Sequence, residues 1–301
     1  MVCKETSVAY LGPEGTYSGK AAKIVAAQTG ARLIPCGSIE EVASTVSVNT
    51  QGIFPYYSQL EGWVSESLSL IHENQFQIID AHRVPVKPSV GKYPGTDDKA
   101  QKHVYSHRKA LALCSDWLNT KYPGIIRVPV ESTGAAPDRV LQEHSGLALA
   151  DIEALHRCGL DVVHREIVTS FTDFYVVTPV YTDIPNLGGE YRTAIVITPR
   201  LGEASKTGVM QYVINLFGVH DRPIIKSISM PRSHDPLEPD AQVFFFEFEG
   251  HKSDKATNAL LEALPTSRLI EEVKVLGTYP RLTMHSGILP PVKAKIPEGL
   301  Q

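Results

Sequence analysis

Leu11-Gly12-Pro13-Glu14-Gly15-Thr16-Tyr17-Ser18 is the stretch from which the fold is read. The apolar run Val8 to Leu11 before it has strand length, and two glycines and two hydroxyls follow. From Ser18 onward Ala21, Ala22, Val25 and Ala26 fall on one helix face, with Gly30 just beyond as a stop signal. A strand that turns through glycine into a helix presents backbone amides and hydroxyls at the positive end of the helix dipole, an arrangement that suits an anion. An acidic small molecule is the expected ligand; a plain tight turn is the alternative. The string is not a Walker A loop, since no Gly-Lys-Ser/Thr follows, and it lacks Gly-x-Gly-x-x-Gly spacing.

Outward from this turn, strands alternate with helices. Arg32 to Pro35 reads as a second strand, Ser38-Ile39-Glu40-Glu41 as a capping box, and Gly52 to Pro55 as a third strand that ends in the polar cluster Tyr56-Tyr57-Ser58-Gln59. A helix with Val64, Leu68 and Ile71 on one side leads to a strand at Phe76 to Ala81. Residues 84–99, broken by prolines and glycines, read as a crossover between lobes. A second set follows: a strand at His103 to Tyr105, a helix at Lys109 to Leu118, strands at Ile126 to Val130 and Leu147 to Ala150, and further strands at Asp161 to Ile167 and Phe174 to Val177. This is an α/β fold with a mostly parallel sheet, in which sites lie where strand ends meet helix starts. Pro179 to Tyr191 reads as a linker. Beyond it the order strand, helix, strand, strand, helix, strand is that of a βαββαβ ferredoxin-like unit.

The chain has 301 residues, 43% of them hydrophobic, enough for two domains and a sizeable core. Its formal charge of -4 provides no global field for nucleic acid or a membrane. The four cysteines (Cys3, Cys36, Cys114, Cys158) have neither disulfide-framework nor metal-ligand spacing, and the histidines share no metal spacing with acidic partners, so neither metal nor cofactor is expected. With no apolar leader and no run long enough to span a bilayer, a cytoplasmic protein is expected.

The opening string resembles that of prephenate dehydratases, the enzymes that turn prephenate into phenylpyruvate. Leu60-Glu61-Gly62, Ser106-His107 and Ser132-Thr133-Gly134 resemble further family motifs in the family's order. Val243 to Gly250 with His251, and Val275-Leu276-Gly277-Thr278-Tyr279-Pro280-Arg281, look like the closing strands of the appended ACT regulatory domain. The resemblance implies a two-lobed, periplasmic-binding-protein-like catalytic region at 1–181 with a lobe boundary near 84–99. It further implies a linker at 182–191, an ACT domain at 192–285, a tail at 286–301, and a homodimer or homotetramer. No chorismate mutase domain is expected before the first strand, so prephenate would come from another enzyme. Substrate contacts are implied for Thr16, Tyr17, Ser18, Gln59, Glu61, Gly62, Ser106, His107, Ser132, Thr133 and Phe174.

Several positions depart from the family pattern. Pro-Ile-Glu-Asn-Ser-Leu-Glu-Gly becomes Pro55-Tyr56-Tyr57-Ser58-Gln59-Leu60-Glu61-Gly62, and Thr-Arg-Phe becomes Thr172-Asp173-Phe174. The ACT effector motifs become Gly208-Val209-Met210 and Ile228-Ser229-Met230-Pro231, so phenylalanine feedback is not expected. No acidic side chain reproduces the fork of a guanidinium. The altered set resembles prephenate decarboxylases, relatives that release carbon dioxide without aromatising the ring. In that comparison Thr172 bonds the ring hydroxyl, an ionised Asp173 repels the substrate carboxylate, and Tyr57 or Ser58 lies near the reacting ring. Tyr56 and Tyr57 as packing residues, and Arg165 or Arg192 as a substitute cation, are the alternatives. Three functions stand side by side: a decarboxylase, an ordinary dehydratase, and an inactive binder.

Overall fold

The computed structural model describes residues 6–200, 206–232 and 241–284. The tail expected at 286–301 lies outside them. In chain order the elements are β1 (Ser7–Leu11), α1 (Tyr17–Thr29), β2 (Arg32–Cys36), α2 (Ile39–Thr45), β3 (Thr50–Ser58), β4 (Gly62–Trp63), α3 (Ser65–Glu73), β5 (Gln77–Val86) and β6 (Ser89–Lys92). Next come β7 (His103–His107), α4 (Arg108–Leu113), α5 (Ser115–Lys121), β8 (Ile126–Val130), α6 (Ala136–Glu143), β9 (Leu147–Ala150), α7 (Ile152–Arg157), β10 (Asp161–His164) and β11 (Ser170–Thr178). The last part carries β12 (Tyr191–Pro199), α8 (Lys206–Val219), β13 (Ile224–Pro231), β14 (Gln242–Glu249), α9 (Lys255–Ala263), β15 (Ile270–Pro280) and β16 (Thr283–Met284).

The chain divides into two compact units: Met1–Gly37 with Arg83–Thr172 and Met284–Gln301, and Ser38–His82 with Asp173–Thr283. In the first, β1 and β2 pair in parallel, and a five-stranded mixed sheet runs β10-β6-β9-β7-β8. Alternation along β9 sends Leu147 and Leu149 into a core with Val90, Val104, Leu111 and Leu118, and Ala148 and Ala150 into another with Tyr105, Val140 and Leu155. The stretch 84–99 is more ordered than its prolines and glycines suggest, since β5 runs on to Val86 and β6 pairs antiparallel with both β9 and β10.

In the second unit, β5, β11 and β3 are neighbours in that order, and β4 turns back on β3 as a hairpin. The βαββαβ elements form an antiparallel sheet ordered β13-β14-β12-β15. Phe244, Phe246 and Phe248 face a core shared with Val209, Val213 and Phe217 of α8 and Leu260 of α9. The odd residues of β14 are not solvated: Phe245 packs edge-on against Trp63 at 5.6 Å, and Glu247 is fully buried. β15 lies so close to β5 that a Cβ on Gly277 would come within 2.0 Å of the Ile78 carbonyl oxygen, which only glycine permits. That close approach is one reason Ser38–His82 groups with the C-terminal elements. Among the described residues no helix is long and apolar enough to cross a membrane, and no cluster of His, Cys, Asp and Glu could hold a metal ion.

Candidate active site

The candidate residues fall into two sets, one in the first unit and one in the second, with Thr172 the last residue of a first-unit segment. In the first, Thr16 caps α1: its hydroxyl accepts from the Gly19 amide and donates to the Leu11 carbonyl, both at 3.1 Å. At the far end Gly30 adopts the left-handed conformation that closes the helix (φ 71°). Gly15, at φ +91°, is where three segments meet. A Cβ there would lie 3.2 Å from the Arg157 guanidinium, and one on Gly134 would lie 3.3 Å from the Glu14 carbonyl oxygen. The opening turn, the Ser132-Thr133-Gly134 turn and the exposed end of α7 thus converge on Gly15, with a guanidinium at the junction. Arg157 gave no signal in the sequence, because the six-residue helix that carries it, capped by Asp151, has too little periodicity to stand out.

The other residues expected in this set serve the fold in part. Ser132 Oγ accepts from the Ala135 amide at 3.1 Å, and the buried Ser106 Oγ donates to the Leu149 carbonyl at 2.6 Å. His107 caps α4 through Nδ1, which accepts from the Lys109 amide. Ser18 is buried, and Thr133 is half-buried in the turn before α6. Tyr17 is different: its hydroxyl is buried without a hydrogen-bond partner. Burial, then the nearby Asp151 carboxylate, pushes its pKa far up, and the Lys87 backbone opposes this weakly. Asp151 itself is paired with Lys20 at 2.6 Å. Tyr17 therefore remains a phenol, able to donate a hydrogen bond but reluctant to release its proton.

In the second set, several residues of the polar cluster expected after the third strand prove to be strand or core. β3 continues through Tyr56, Tyr57 and Ser58, where the sequence reading ended the strand at Pro55. Alternation turns Tyr56 inward, fully buried and stacked on Tyr175 at 3.6 Å, so the packing alternative holds for it. Tyr57 is half-buried, edge-on to Trp63 at 5.6 Å. Ser58 Oγ accepts from the Leu60 amide, Gln59 and Glu61 are exposed on the hairpin, and Gly62 supplies its positive φ of 79°. Phe174, expected to touch substrate, is only 1% exposed, because β11 runs between β5 and β3.

Asp173 departs most from expectation. Its side chain is fully buried, and the Lys226 ammonium, brought by β13, donates to Oδ2 at 2.7 Å. The expected repulsion of a substrate carboxylate by an uncompensated Asp173 does not stand, since a buried carboxylate without a counter-charge would cost several kcal/mol. Lys226 also donates to the Tyr56 hydroxyl at 3.3 Å and lies 3.6 Å from Glu247, which accepts from Arg192 at 2.8 Å. Burial, followed by the charge of Glu247, pushes the phenols of Tyr56 and Tyr175 far above their usual range. Arg192 is thus engaged with Glu247, and Arg165 is exposed. Thr172 precedes Asp173 on β11, half-buried. In the effector motifs Val209 is core, Met210 packs against it, Gly208 is half-buried, and Ser229 Oγ donates to Gln242 at 2.6 Å.

Comparisons with known proteins identify the family and the fold. The family model for prephenate dehydratase matches residues 8–180. A prephenate dehydratase of Mycobacteroides abscessus is 29% identical over 95% of this chain and 94% of its own. A bifunctional chorismate mutase/prephenate dehydratase of Aquifex aeolicus is 28% identical over 92% of this chain and 74% of its own. The fold is shared with the prephenate dehydratase of Arthrobacter aurescens solved in complex with L-Phe (TM-score 0.77, 24% identity, 92% of this chain and 90% of that one). With a match across well over half its length, the chain belongs to the prephenate dehydratase family.

Proposed function

We propose that the protein is a lyase acting on prephenate, and that it releases carbon dioxide while keeping the ring hydroxyl. Both reactions open to this substrate start by breaking the bond to the ring carboxylate and consume one proton. In dehydration the electron pair expels the hydroxyl, which leaves as water with that proton. In simple decarboxylation the pair moves through the ring and a ring carbon takes the proton. The outcome depends on whether the hydroxyl is helped to leave.

The observation that supports decarboxylation is the position that carries arginine in the family: it is Asp173, buried and closed off by Lys226 at 2.7 Å. Position 173 itself brings no guanidinium next to the Thr172 hydroxyl on β11, so the fork that the family's signature places there is replaced by a carboxylate. Thr172 keeps the role of holding the ring hydroxyl, and Tyr57 is the candidate phenol near the ring. In this reading residues 192–285 form an ACT domain without phenylalanine feedback, and the cytoplasmic chain assembles as a homodimer or homotetramer. The ordinary dehydratase is the second reading, favoured by the Arg157 guanidinium beside Gly15 of the opening turn, a cation that could serve an anionic substrate there.

Incubation of the pure protein with prephenate, followed by proton NMR of the products, separates these readings. A surviving ring hydroxyl with loss of carbon dioxide supports the proposal, and phenylpyruvate refutes it. Binding without turnover would assign the inactive-binder role.

A further inference from the structure

The two departures from the family pattern, Pro55-Tyr56-Tyr57 on β3 and Thr172-Asp173-Phe174 on β11, lie 115 and more residues apart in the chain. They meet at one ammonium from a third segment. Lys226 Nζ donates to Asp173 Oδ2 at 2.7 Å and to the Tyr56 hydroxyl at 3.3 Å, and it lies 4.7 Å and 4.5 Å from the ring centroids of Tyr56 and Tyr57. Its side chain is 13% exposed and those of Asp173 and Glu247 are 0%. In the family pattern the position of Tyr57 is acidic and that of Asp173 is a guanidinium. Here the acid stands on β11 and the cation on β13, so the charges have been redistributed among strands while an acid and a base remain. An ammonium in this setting interacts with carboxylate and ring faces together, each strengthened by exclusion of water.

We propose that Lys226 is a positioning residue for the reaction: from β13 of the C-terminal unit it fixes Asp173, and through it the register and orientation of the adjoining Thr172, and it fixes the ring of Tyr57. The proposal rests on the prephenate reading. Its consequence is that the βαββαβ unit completes the catalytic geometry in addition to any regulatory part it plays. Lys226 touches no substrate; it acts through Asp173 and Tyr57. A lysine point charge suits this task, because its three donors reach carboxylate and hydroxyl together.

The test compares wild type with Lys226→Met, Lys226→Arg, and the double variant Asp173→Asn with Lys226→Gln, all as the full chain. The double variant removes both charges of the Lys226–Asp173 pair together, and Glu247 keeps Arg192, so it is the variant less costly to folding than Lys226→Met, which leaves Asp173 without that ammonium. Expected is a fall in kcat on the order of ten- to a hundredfold in the double variant, as misplacement of a reacting group produces, with little change in KM and an unaltered urea midpoint. Lys226→Arg should recover most of the lost kcat. Variants with wild-type kcat and KM overturn the proposal, as does a loss of activity that only follows a loss of stability. If the wild type converts no prephenate, the functional reading fails separately, and amide exchange then decides on Lys226. Faster exchange in 50–58 and 170–178 of the double variant, with 242–249 unchanged, supports its positioning role, and unchanged exchange throughout overturns it.

Discussion

An arginine placed at position 173 would restore the family's Thr-Arg-Phe signature, yet the structure predicts that this substitution alone wrecks the protein. Among the ion pairs of the described residues, buried Asp173 and Glu247 are met by Lys226 and Arg192, two carboxylates and two cations. Asp173→Arg leaves one carboxylate against three cations. Breaking a buried pair by removing one partner costs about 3–5 kcal/mol. A guanidinium about 4 Å from the Lys226 ammonium adds repulsion of about 4 kcal/mol at an effective dielectric constant of about 20. The sum, about 8 kcal/mol, rivals the entire stability of a typical domain, about 5–15 kcal/mol. Urea unfolding followed by circular dichroism should therefore show Asp173→Arg largely unfolded in buffer. The double variant Asp173→Arg with Lys226→Glu restores both the sign balance and most of the side-chain volume, and it should regain a cooperative transition. Product analysis on that variant is the informative experiment, since a guanidinium then stands beside Thr172 in a folded protein and the product should shift toward phenylpyruvate. An Asp173→Arg protein as stable as wild type would refute the buried pair, and with it the whole electrostatic account of the site.

Arg157→Met, at an exposed side chain, should leave the urea midpoint unchanged and raise KM for prephenate about tenfold, the loss of one charge-assisted hydrogen bond, as steady-state kinetics will read. His82 is buried, and burial drives its pKa from 6.5 to about 4. The unfolded chain takes up that proton first, so the contribution of His82 is intact above about pH 6.5 and falls as pH drops toward 4. The loss reaches about 3 kcal/mol, and urea midpoints at pH 7 and pH 4.5 should show it diminished in His82→Asn. Titration calorimetry with phenylalanine should give no heat of binding, because Val209 is core and Ser229 is already bonded to Gln242.

Much of the architecture was legible because its signals are local. Thr16 and Gly30 bracket α1 as hydroxyl cap and left-handed stop, Ser38 caps α2 through the Glu41 amide, and the βαββαβ order follows from runs whose periodicity switches cleanly between strand and helix. The errors have one physical origin. Tyr56-Tyr57-Ser58 looked like a polar loop because their polarity was judged residue by residue, whereas the Tyr56 ring is covered by Tyr175, from a strand over a hundred residues later. Glu247 lies within an aromatic strand, and its burial goes with Arg192 and Lys226, which come from two other strands.

Asp173 extends the same point to the site. A carboxylate where the family has arginine is readable as a loss of positive charge, but the chain sequence does not mark which of its 29 lysines and arginines answers it. Lys226 is 53 residues away in the chain, on β13, and no motif around it marks it as the partner. Burial fixes the net charge of such a cluster far more strictly than it fixes which strand supplies each sign, since an unpaired ion costs several kcal/mol while an exchange of partners costs little. A site can therefore move its cation to another strand without losing the fold. What changes is which strand carries the cation, and with it which neighbouring side chains it holds in place.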